Sequence, residues 1–150
     1  MSRSYIAVVG AARASAQEAE AAQAVGRALA EARAVVVCGG LGGVMEAACR
    51  GAKSAGGTTV GILPSGSRAD ANEFVDVALA TGLGEARNAL VVRAVDVLVA
   101  VGGEYGTLSE IALALKAGKP VVGVGTWELD DIVRADDPDD AVRRALELAP

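Results

Sequence analysis

The chain has 150 residues, 52% of them hydrophobic but only 3% aromatic, and a formal charge of −5. That is the length of one ordinary domain, with no basic footprint for nucleic acid and no apolar run near the ~18 residues needed to cross a membrane. Alanine and valine must fill a core so poor in rings, which suits a parallel sheet buried on both faces between helices.

The opening Met-Ser-Arg-Ser runs straight into a strand, unlike a secretory leader, so a cytoplasmic protein is expected. Tyr5 to Val9 is a continuous apolar run. Ser15-Ala-Gln-Glu18 reads as a capping box that starts a helix reaching about Ala32, with Ala22, Val25 and Leu29 on one face. Ala34 to Cys38 is a second strand, and Gly39 to Gly43 is a tight loop. Val44 to about Ala55 is helix, stopped by Gly56-Gly57. Thr58 to Leu63 is a third strand. After a polar loop, Phe74 to Leu79 reads as a fourth.

Gly84 to about Ala94 is a short helix, and Val95 to Val101 is the most strand-like segment. A second glycine loop, Gly102-Gly103-Glu104-Tyr105-Gly106, leads to a helix from Thr107 to Ala117. Pro120 to Val124 is the last strand. Pro138 to Leu148 is a closing helix with Asp136 or Asp137 as its N-cap. Strand and helix alternate at short spacing, so the expected fold is α/β, a Rossmann-like, doubly wound, mainly parallel sheet with helices on both faces, as a single domain over 1–150.

Ligands of such sheets sit beyond the carboxyl ends of the strands. The first strand–helix loop, Gly10 to Ser15, lacks the G-x-G-x-x-G dinucleotide fingerprint, and no G-x-x-x-x-G-K-[ST] is present. The other two loops look alike. Gly39, Gly40, Gly42 and Gly43 precede one helix; Gly102, Gly103 and Gly106 surround the start of another. Glycines let backbone approach a ligand, and helix N-termini offer free amides and a positive dipole end. Together the two loops read as one anion pocket.

With no histidine, acid–base work falls to carboxylates, Lys or Tyr, and the commonest zinc ligand is missing. The acidic stretch from Glu128 to Asp140 reads as caps and solvated loop, not a metal site. Cys38 and Cys49 read as small buried thiols. Thr107-Leu108-Ser109-Glu110 has two readings: a capping box, or a carboxylate one turn inside a phosphate-binding helix. Arg87 sits in a first helical turn, where a cation opposes the dipole; it is either solvated or aimed at an anion.

Arg87, followed by Gly-Gly-Glu-Tyr-Gly-Thr-Leu-Ser-Glu ending at Glu110, resembles the LONELY GUY (LOG) proteins of the SLOG superfamily, often labelled lysine decarboxylase-like. Their pattern is an Arg-Lys pair, then P-G-G-x-G-T-x-x-E, and Gly39 to Met45 matches their first glycine motif. The segment Thr81 to Asn88 resembles a smaller bacterial branch, similar to molybdenum-cofactor carrier proteins. The resemblance implies binding of a nucleotide-like phosphorylated ligand. It also implies hydrolysis of the N-glycosidic bond of a nucleoside 5′-monophosphate, with Glu110 at the ribosyl centre and Arg87 positioning the ligand. Gly103, Gly106 and Thr107 would then hold the phosphate. Asn88, Gly102, Glu104 and Ser109 depart from the enzyme pattern. The alternative they suggest is a non-catalytic carrier of molybdenum cofactor or a related pterin phosphate. By the same resemblance a homo-oligomer, dimer or tetramer, is expected.

Overall fold

A computed structural model describes residues 2–150. Seven strands form one sheet: β1 (Tyr5–Gly10), β2 (Val35–Cys38), β3 (Thr58–Leu63), β4 (Val77–Ala80), β5 (Val97–Val101), β6 (Val121–Val124) and β7 (Val133–Arg134). Their order is β4-β3-β2-β1-β5-β6-β7, and each neighbouring pair is parallel. The five helices are α1 (Ala16–Glu31), α2 (Val44–Ser54), α3 (Arg87–Arg93), α4 (Tyr105–Lys116) and α5 (Pro138–Leu148).

Alternate residues of each strand serve opposite faces, as the two-residue strand period requires. Ile6 and Val8 of β1 pack with α1, α2 and α5; Ala7 and Val9 pack with α3 and α4. Both faces are therefore dry, which explains why the central strands are unbroken apolar runs rather than alternating ones. The chain leaves β1 outward through β2, β3 and β4, then returns to lay β5 against the other side of β1. That reversal opens a crevice beyond the carboxyl ends of β1 and β5.

Local signals fix several ends. The Ser15 hydroxyl accepts from the Glu18 amide at 3.0 Å, and the Glu18 carboxylate accepts from the Ser15 amide at 2.9 Å. Asp137 is the N-cap of α5 and accepts from the Asp140 amide at 2.8 Å.

β5 begins at Val97 rather than Val95, and four other differences from the sequence reading follow. β4 begins at Val77, because Asn72 turns the chain by accepting from the Phe74 amide, and Thr59 Oγ1 donates to the Phe74 carbonyl. The helix expected from Gly84 splits into a 3₁₀ turn at Gly84–Ala86 and α3, so Arg87 is the first residue of α3. α4 begins at Tyr105, not Thr107. β7 lies within the acidic stretch, added in parallel to β6.

Candidate functional site

Three helices start around the crevice: α2 at Val44, α3 at Arg87 and α4 at Tyr105. Between them lies a cleft of about 270 Å³. Its floor is Gly10, Ala11 and Ala12, where β1 ends. A Cβ on Gly10 would stand 2.6 Å from the Val101 carbonyl oxygen, so the approach of β1 to β5 at this point requires glycine. Leu41 and Met45 form an apolar wall. Glu104, Gly106, Thr107 and Glu110 form the opposite one, and Arg87 and Asn88 close the side.

Arg87 is held by what is missing around it. A Cβ on Gly39 would overlap Arg87 Nη1, so this glycine is the slot through which the guanidinium passes. Arg87 Nε is buried and has no hydrogen-bond partner among the described residues. Burial holds the guanidinium below its usual pKa, opposed by the charges of Glu110 and Cys38. A buried donor without an acceptor costs about 1–3 kcal/mol, more when charged. That cost falls on a residue that lines the cleft.

Glu110 is only 8% exposed. Burial pushes its carboxyl up to about 7, and the Arg87 charge keeps it from rising further. Its capping-box reading is corrected. α4 starts two residues earlier than expected, Glu104 is the N-cap, and Glu110 lies in the second turn, facing the cleft.

Of the residues singled out from the sequence, Met45, Arg87, Asn88, Gly106, Thr107 and Glu110 line the cleft. The remaining glycines stand behind it. Gly40 packs on Leu63 and the Gly61 backbone, and Gly43 (φ 64°) packs on the backbone of Ala11 and Ala12 as the N-cap of α2. Gly42 has only the Ala12 carbonyl near it. A Cβ on Gly102 would overlap the Glu18 carboxylate, which the Ser15 amide holds below its usual pKa. The second loop is thus packed against the capping box of α1.

The sequence reading set the first loop aside because it lacks a nucleotide fingerprint, and so missed Ala11 and Ala12. Leu41 was missed as well. Glu104, noted from the sequence only as a departure from the enzyme pattern, lines the cleft. Cys38 and Cys49 are fully buried beneath the first loop, with Sγ atoms 3.5 Å apart, and the Gly40 amide donates to Cys38 Sγ at 3.3 Å. Among the described residues, no three His, Cys, Asp or Glu side chains are grouped to hold a metal ion, and no helix is long and apolar enough to cross a membrane.

A protein of Archaeoglobus fulgidus is 48% identical over 119 residues, 79% of this chain and 78% of that one. The solved structure of the molybdenum cofactor binding protein from the phototrophic bacterium Rippkaea orientalis superposes with a TM-score of 0.93. It is 36% identical and covers 99% of this chain and 98% of its own. The molybdenum cofactor carrier protein from Chlamydomonas reinhardtii gives a TM-score of 0.87 at 36% identity, covering 98% of each chain. A model of the SLOG cluster4 family matches residues 3–147, and the chain belongs to that family.

Proposed function

We propose that the chain is a carrier that binds, without turnover, molybdenum cofactor or a related pterin phosphate. The observation that carries this is the buried, unpartnered Nε of Arg87 at the wall of the cleft. The 36% identity to molybdenum cofactor binding and carrier proteins over nearly all of each chain supports it. The residues fit such cargo. Arg87 and the first-turn amides of α2 meet the phosphate, while Leu41, Met45, Ala11 and Ala12 offer apolar surface to a flat ring. At about 270 Å³ the cleft is near the lower end of small-molecule sites, about 300–1,000 Å³.

Neopterin monophosphate, titrated calorimetrically, tests the reading. Replacing Arg87 by Ala is expected to weaken binding roughly 100-fold, since a charge-assisted contact in a partly dry site is lost. Affinity is also expected to fall between about pH 7 and pH 8.5, a range in which the phosphate, with a second pKa of about 6, stays a dianion. Glu110 titrates at about 7, and its ionised form adds a negative charge beside the incoming anion. Equal affinity for wild type and Arg87→Ala contradicts the reading.

A second reading is hydrolysis of the N-glycosidic bond of a nucleoside 5′-monophosphate. One observation favours it: a carboxyl at about 7 both gives and takes a proton near neutral pH. The carrier reading expects no free base from a panel of nucleoside monophosphates; release of base selects hydrolysis.

We further propose self-association through the exposed edge strand. Val77 and Leu79 pair in register with Val60 and Ile62, so they share the α3 face of the sheet, yet they are 46% and 50% exposed. An uncovered apolar edge of this kind invites pairing with another copy. Native mass spectrometry is expected to show an oligomer in wild type and mostly monomer in Val77→Lys/Leu79→Lys.

A further inference from the structure

The carboxylate of Glu104 has no evident work in the fold. Glu104 is the N-cap of α4, but its side chain makes no capping hydrogen bond. Among the described residues it enters no ion pair and no side-chain hydrogen bond, although it lines the cleft. Its backbone, in contrast, is fixed: the carbonyl accepts from Trp127 Nε1 at 3.2 Å and from the Leu108 amide at 3.0 Å. Trp127 in turn packs on Tyr105, with ring centroids 6.0 Å apart. An exposed, unspent carboxylate is therefore carried on an anchored backbone beside the cleft.

A phosphate beside it is disfavoured by like charge. The anionic end of a ligand thus belongs with Arg87, whose buried Nε lacks an acceptor. What a carboxylate recognises well is a pair of adjacent N–H donors, which its two oxygens meet together.

We infer that Glu104 is the specificity residue of the cleft, and that it accepts from the ring N–H and the amino group of a 2-amino-4-oxopyrimidine edge, the edge a pterin carries. This rests on the carrier reading above and adds which part of the ligand lies where. Glu110 does not compete for the role, being buried.

Calorimetric titration of neopterin monophosphate and of its 2-oxo (lumazine) counterpart, which lacks the amino donor, tests the inference. Wild type is expected to prefer the pterin about 10-fold or more. Glu104→Gln and Glu104→Ala are each expected to lose that preference and to bind the pterin about 10-fold more weakly. Inorganic phosphate is expected to compete as well as before, or better, because a negative charge is gone. The side chain caps nothing, so both variants are expected to melt with wild type. If the variants keep the preference, the inference is overturned and the carrier reading stands. If wild type binds neither compound, both fall.

Discussion

Glu110→Gln is expected to be more stable than wild type at pH 8 by about 3 kcal/mol, and to show no gain at pH 4.5. In the folded chain burial raises the Glu110 carboxyl from an ordinary 4.5 to about 7. Its neutral form is thus the one the fold favours. Stability from this group is complete below 4.5 and is lost as pH rises through about 7, because the unfolded chain then ionises more readily than the folded one. A shift of that size, at about 1.36 kcal/mol per unit, amounts to about 3 kcal/mol. Glutamine keeps the shape and removes the charge. Urea midpoints across pH 4.5–8 measure the effect; a constant difference between the two proteins, or a loss at pH 8, contradicts it. A group that costs stability at neutral pH and faces a cleft is what the proposed ligand site calls for.

The second large effect is structural. Gly26→Ala is expected to destabilise the chain by about 3 kcal/mol, although alanine is the better helix former by about 1 kcal/mol. α1 and α2 cross in near contact. A Cβ on Gly26 would overlap the Ala48 carbonyl, and one on Gly51 would overlap the Gln23 carbonyl. Those obstacles are backbone, so no side chain can swing aside and the helices must separate. Thermal melts of Gly26→Ala and Gly51→Ala read this directly. An unchanged or raised midpoint in both shows that the crossing has slack. The crossing also matters to the site, because α2 carries Met45 and the first glycine loop into the cleft.

The fold was legible where a physical signal was strong and local. Unbroken apolar runs marked β1, β2 and β5, and Ser15 with Glu18 marked the start of α1. β7 carried no such mark: two residues in an acidic stretch have no readable period, and only β6 alongside makes them a strand. The start of α4 was obscured because Gly106, a poor helix former, occupies its second position, while the Trp127 indole fixes the Glu104 carbonyl from far along the chain.

The site divided in the same way. The two glycine loops and the Arg87/Glu110 pair were visible as motifs. The work of individual glycines was not, since Gly39 serves Arg87 and Gly102 serves Glu18 only through contacts distant in sequence. Ala11 and Ala12 carry no polar signal, and they become a floor only because the chain returns to place β5 beside β1.

In the proposed function Arg87, threaded over Gly39, holds the negative end of a ligand at the junction of β1 and β5. A crystal structure of the protein with neopterin monophosphate tests it. The phosphate is expected within hydrogen-bond reach of the Arg87 guanidinium and the first turn of α2. A phosphate bound elsewhere on the sheet rim, with Arg87 Nε still unpaired, would contradict it.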